Sequence, residues 1–158
     1  MKSISHEHGK INSKIVSKQI ISTVFLTILT LLTMESQAQT FKTIENKDLK
    51  LEVYNASENS FGVASVIVSG KKDAVLIDTQ FTLADAEKVA QEIKKSGKKL
   101  TTIFVSHGDP DFYFGLEVFK KYFPEVTAYA TPATIEHIKA TAQKKLDVWG
   151  ERLGKNIT

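Results

Sequence analysis

At Thr82 the apolar pattern of this chain changes period, and that change sets what the chain can fold into. Upstream, three short segments read as strands. Lys50 to Tyr54 (KLEVY) alternates polar and apolar, Phe61 to Ser69 (FGVASVIVS) is rich in β-branched residues, and Ala74 to Ile77 (AVLI) is a short apolar run. Gly70-Lys71-Lys72-Asp73 is a turn between the last two, so the three predict an antiparallel meander. Downstream, Leu83, Ala86, Val89, Ala90 and Ile93 share one helical face. Thr82 and Asp85 have capping spacing, and Gly97 follows a lysine-rich last turn, as at a helix C-terminus. Leu100 to Val105 (LTTIFV) is the next strand, and Gly115 to Phe123 is a second helix stopped by Pro124. Thr127 to Ala130 is another strand. Thr131-Pro132 then opens a third helix, with threonine as cap and proline at its first position. Its pattern weakens beyond about Lys145, where Gly150 and Gly154 interrupt it. The order β-β-β-α-β-α-β-α predicts an α/β (α+β) fold with helices packed on a sheet.

Residues 1–38 carry a different signature. Lys10, Lys14 and Lys18 precede an apolar run from Ile20 to Met34 (IISTVFLTILTLLTM), and small residues frame Ser36-Gln37-Ala38. A basic stretch, a short apolar run and an A-x-A-like site form the pattern of a secretory signal peptide. The run is about 15 residues, shorter than the roughly 20 that a membrane-crossing helix needs. The expectation is a signal peptide over 1–38 and one domain over 39–158, in an exported bacterial protein, periplasmic or secreted. An uncleaved anchor is the alternative reading. His6 and His8 form an HxH pair within the leader, where a solvated basic stretch is expected and a metal site is not.

Charge and cysteine usage narrow the function. Of the formal net charge of +3, residues 1–38 carry +2, and the remainder has 17 positive and 16 negative side chains. That balance gives no electrostatic case for nucleic acid. With no cysteine in the chain, disulfides, thiolate metal ligands and cysteine nucleophiles are all excluded.

One segment reads as more than scaffold: Ser106-His107-Gly108-Asp109-Pro110-Asp111-Phe112-Tyr113-Phe114-Gly115. It follows a buried strand and leads into a helix, so it lies at a strand's carboxyl end, where ligand sites of open α/β sheets collect. His107, Asp109 and Asp111 stand at i, i+2 and i+4, and a curled loop can turn them toward one point. Imidazole with carboxylates suits Zn²⁺, Mn²⁺ or Fe²⁺. The competing reading is turn chemistry, since aspartates cap and turn while proline fixes φ. Among the other candidates, His137 reads as a helical surface residue, and Trp149 and Tyr113 read as packing. Tyr113 and Phe114 could instead wall a pocket beside the loop. The pairs Lys94-Lys95, Lys98-Lys99 and Lys144-Lys145 read as solvated helix ends.

Three segments together resemble the metallo-β-lactamase superfamily: Val75-Leu76-Ile77-Asp78-Thr79, Thr102 to His107, and Gly115-Leu116-Glu117. In that family a strand ending in aspartate is followed by a helix, and a second strand then delivers an HxHxDH loop. Ala130-Thr131-Pro132 and its helix resemble the corresponding later segment, so the likeness spans roughly residues 48–140. Carried over by position, His107 matches the first histidine and Asp111 the aspartate, Asp109 stands at the second histidine, and Phe112 at the third. The loop here is thus HxDxDF. The resemblance implies metal ligation by His107, Asp109 and Asp111, with one Zn²⁺ site favoured over two because phenylalanine cannot ligate. It also gives Asp78 the role of supporting the loop from behind the ligands. On sequence alone Asp78 reads equally as a polar strand end. Gln80 stands where glycine often follows Asp-Thr.

The function implied is that of a metal-dependent hydrolase acting on a small ester, thioester or cyclic amide. Asp111 would bind a further, weaker ion or hold the attacking water and take its proton. The alternative is a non-catalytic or truncated member acting as a binding or assembly module. Members supply further histidine and aspartate ligands well after the loop, and here only His137 follows Asp111 as a histidine. The family fold pairs two similar β/α halves in an αββα sandwich, and residues 39–158 suffice for the first. A single half leaves one face of its sheet uncovered, so residues 39–158 on their own are expected either to self-associate or to be poorly stable. Membrane contact is expected only through the export signal.

Overall fold

The computed structural model describes residues 41–157. All of them lie in the compact unit Gln39–Thr158, and the expected signal peptide over 1–38 lies outside the described residues. Six strands form one sheet in sequence order: β1 (Lys42–Glu45), β2 (Lys50–Asn55), β3 (Ala64–Ser69), β4 (Asp73–Ile77), β5 (Lys99–Val105) and β6 (Thr127–Ala130). The first four run antiparallel as hairpin-linked neighbours. β4, β5 and β6 are parallel, joined by crossovers through helices. The helices are α1 (Leu83–Ser96), the single turn α2 (Pro110–Tyr113), α3 (Leu116–Tyr122) and α4 (Pro132–Leu153).

Period-two alternation sends one set of strand side chains to the helices. Tyr54, Ile67, Leu76, Ile103 and Val105 join Ala86, Val89, Ala90 and Ile93 of α1 and Val118 and Phe119 of α3 in one buried cluster. The α1 caps form as the sequence predicts. Thr82 Oγ1 accepts the Asp85 backbone N–H at 3.2 Å, and Gly97 takes a left-handed φ of 69°. Thr131 caps α4 in the same way, accepting the Thr134 N–H at 3.2 Å.

Three boundaries differ from the sequence reading, each for a physical reason. β1 is absent from that reading because all four of its residues are exposed, so they carry no apolar signal. β3 begins at Ala64 rather than Phe61. Phe61 and Gly62 have φ of 59° and 62° at the exit of a 3-10 turn over Glu58–Ser60, a backbone that cannot enter a strand ladder. The third helix does not fade at Lys145 but continues through Gly150 to Leu153. No residue of α4 is fully buried, so its apolar stripe is weak although the helix is long.

Candidate functional site

β4 and β5 end side by side, and their carboxyl ends carry the chemistry. Beyond β4 the chain turns sharply through Asp78-Thr79-Gln80, with φ of 60° at Asp78 and 79° at Gln80. Left-handed backbone at two non-glycine residues is strained and needs bracing. Ser65 Oγ donates to the Asp78 carbonyl at 2.8 Å and Gln80 Nε2 donates to Ser65 Oγ at 2.7 Å. Asp78 N–H reaches the Phe104 carbonyl, Thr79 N–H the Phe112 carbonyl, and Gly115 N–H the Gln80 carbonyl, all within 3.1 Å. A Cβ at Gly115 would stand 1.9 Å from the Thr79 carbonyl oxygen, so only glycine permits this approach. The turn after β4 is thereby bolted to the segment that carries the acidic loop.

From this turn the Asp78 carboxylate reaches Ser106. It accepts the Ser106 backbone N–H at 2.8 Å through Oδ1 and the Ser106 hydroxyl at 2.6 Å through Oδ2. The hydroxyl has one hydrogen, and the carboxylate takes it. The same Oγ lies 2.7 Å from His107 Nδ1, where it can only accept. The network therefore places a hydrogen on His107 Nδ1 and leaves Nε2 outside it. The Phe112 ring packs on the imidazole with centroids 4.6 Å apart, so the ring is held on its face as well as at its edge. Burial pushes the Asp78 carboxyl up, and the two Ser106 hydrogen bonds oppose that push.

Asp111 is half-buried in α2. Burial raises its pKa, and the nearby Asp109 and Asp78 charges push the same way, against its own backbone N–H and His107. Asp109 faces the same cleft but is engaged by a cation. Its carboxylate is 61% exposed and accepts the Lys145 ammonium at 3.1 Å, with His137 Nε2 at 3.9 Å. Asp111, Asp109, Phe112, Phe61, Phe81 and Trp149 line a cleft of 380 Å³. Its aromatic walls pack edge to face, with Trp149 5.1 Å from Phe81 and 5.5 Å from Phe61.

Among the described residues, no three histidine, cysteine or acidic side chains gather as a metal-holding group. Catalytic zinc takes three protein ligands. His107 and Asp111 have the right chemistry, a free imidazole nitrogen and a carboxylate crowded by like charge, but they amount to two donors. Asp109 already serves an ammonium. The described residues thus fit part of a metal centre and do not complete one.

Several participants were not legible in the sequence. Ser106 lay inside the loop, yet its hydroxyl has meaning only once Asp78 is placed beside it. Lys145, read as a solvated helix end, reaches the loop. Its signal was available: Ile138, Lys145, Leu146, Trp149 and Leu153 recur on one helical face, and all but Lys145 are apolar residues packed on the core. Tyr113 and Phe114 do not wall the cleft. Both are buried, and Phe114 stacks on Phe81 at 6.0 Å.

A mixed sheet with helices packed on it, carrying a histidine–carboxylate loop beside the ends of two adjacent parallel strands, defines an α+β fold with a candidate site at its strand ends. The comparisons identify which one. A family model described as the metallo-beta-lactamase superfamily matches residues 59–152, and the chain belongs to that superfamily. No curated protein matches it. Among solved structures, DIM-1 metallo-beta-lactamase is 21% identical with a TM-score of 0.51, covering 65% of this chain and 47% of its own. A metallo beta lactamase from Hirschia baltica is 15% identical with a TM-score of 0.52, covering 65% and 48%. VMB-1 is 16% identical with a TM-score of 0.53, covering 66% and 49%. The chain spans about half the length of the solved structures that it matches, and its fold is the corresponding partial metallo-beta-lactamase fold.

Proposed function

We propose that the protein is an exported metallo-hydrolase in which His107 and Asp111 are donors to one divalent ion, Zn²⁺ before Mn²⁺ or Fe²⁺. Its substrate would be a small ester, thioester or cyclic amide seated in the aromatic cleft beside them. The observation that carries this reading is the Asp78–Ser106–His107 relay. It fixes the imidazole in the tautomer that leaves Nε2 free to ligate, which is the support that ligating histidines receive from their neighbours. A divalent ion supplies Lewis acidity, lowering the pKa of water and polarising a carbonyl oxygen. The chain's own part is to orient His107, to keep Asp111 half-dry, and to present Phe61, Phe112 and Trp149, backed by the buried Phe81, to the body of the substrate. Export rests on the pattern of residues 1–38.

The test is the metal content of the purified full chain. About one equivalent per chain is expected, lost in His107→Ala. Affinity should fall roughly 10–100-fold in Ser106→Ala, the effect typical of removing a ligand's hydrogen-bond partner. A wild-type metal content equal to that of His107→Ala would overturn the proposal. The Lys145 ammonium on Asp109 favours a second reading, a non-catalytic binding or assembly module. That reading expects no metal in either protein.

A further inference from the structure

Lys145 sits on α4 but belongs, by its contacts, to the loop. Its side chain is 17% exposed, far less than a solvated helix end would show. The ammonium donates to the Gly108 carbonyl at 2.6 Å and to Asp109 Oδ1 at 3.1 Å, and His137 Nε2 lies 3.2 Å away. At Gly108 the loop packs tightly against the helix. A Cβ there would stand 2.5 Å from His137 Cδ2, so the contact exists because residue 108 has no side chain. The carbonyl bond matters most. It holds the ammonium at the loop independently of the carboxylate, so Lys145 is anchored and not merely attracted.

We propose that Lys145 is a built-in cation of the loop, latching α4 to it and withholding Asp109 from metal, so that the loop offers only His107 and Asp111. A divalent ion on the Asp109 carboxylate would stand beside an anchored ammonium, and like charges at that range repel strongly. Lys145 is a positioning residue. It lies at the rim of the same cleft and acts on the loop through Asp109 and the Gly108 carbonyl. What the loop binds rests on the metal reading above, whereas the latch rests on the geometry of Lys145 alone.

The experiment is titration of the purified full chain with Zn²⁺ by equilibrium dialysis and with Co²⁺ followed by visible absorption, with circular dichroism to confirm folding. Lys145→Met should bind metal at least about tenfold tighter than wild type and change the Co²⁺ spectrum, because a third donor is released. Lys145→Arg should keep wild-type binding, and adding Asp109→Asn to Lys145→Met should remove the gain. Lys145→Gln replaces Lys145→Met if the latter does not fold. Unchanged or weaker binding in the folded Lys145 variant overturns the latch, as does a loss of affinity in Asp109→Asn alone. If wild type binds no metal and Lys145→Met does, the latch stands and the hydrolase reading falls. If both bind equally, the reverse holds. If neither binds, both fall.

Discussion

Asp85 shows how much a single buried carboxylate can organise. Sequence spacing gives it a capping role in α1, but in the structure it collects a whole donor set. Tyr54 Oη donates at 2.6 Å, Ser60 Oγ at 2.9 Å, Thr82 Oγ1 at 2.8 Å and Lys88 Nζ at 3.0 Å. Burial alone would raise the Asp85 pKa, but the hydrogen bonds from Tyr54, Thr82, Lys88 and Ser60 outweigh it and the net shift is downward. Tyr54 moves up, through burial first and then its bond to Asp85. A lowered carboxylate pKa means the unfolded chain binds the extra proton. The stability this group contributes is therefore present above the unfolded value of about 3.9 and is lost as pH falls through the folded value. Urea unfolding of wild type should show that loss below about pH 4, and Asp85→Asn should lack this component. Asp85→Ala should cost about 3 kcal/mol at neutral pH, since it removes the charged acceptor on which the buried donors converge. A wild-type acid slope in Asp85→Asn would show that the ionised carboxylate is not what the donors hold.

Among the elements, those with a buried face were legible and those without one were not. α1 and β5 announced themselves through periodicity, caps and apolar runs because each presses one face into the cluster around Ile67, Leu76 and Ile103. β1 left no trace because burial, the physical source of the signal, is absent from it. The site divides the same way. The HxDxD loop stood out because its residue types are unusual together, whereas Asp78 reads equally as a polar strand end and drew its supporting role from the family resemblance. The partner Ser106 could not be read, since a serine acquires its role only from a neighbour distant in sequence, and Lys145 showed only its helical face and not the loop that it meets. The α4 helix is the sharpest case, read as ending where it continues. Gly150 lies inside it with ordinary helical backbone, and a Cβ there meets nothing within 4 Å. Glycine in a helix interior costs about 1 kcal/mol relative to alanine. Gly150→Ala should therefore stabilise the fold by about 1 kcal/mol, measured as a rise in the urea midpoint at constant slope. A fall would mean that α4 needs flexibility at that position to seat Trp149.

At the scale of the molecule, the sheet has two unequal faces. One carries the core. On the other, the strand registers align Val53, Val66, Ile77, Phe104 and Tyr129 in a single row across five strands. All five are partly or fully exposed, with Phe104 at 39% and Tyr129 at 56%. A second row, Leu51, Val68 and Val75, runs beside it, also half-buried. The main row bears no charge until Lys42 on β1, at the far edge from Tyr129. An uninterrupted apolar patch suits a self-complementary contact, because a two-fold axis through it sets apolar against apolar with no buried ion to desolvate. We therefore expect the chain expressed without residues 1–38 to self-associate in a concentration-dependent way. Sedimentation velocity across about 1–100 μM, the range in which modest interfaces dissociate, should show the weight-average coefficient rising. Phe104→Lys with Tyr129→Lys should abolish the rise by placing two charges in the row while leaving the helix-facing core untouched. A wild-type chain that stays monomeric throughout that range, or a double variant that associates equally well, would show that this face is not where copies of the chain meet.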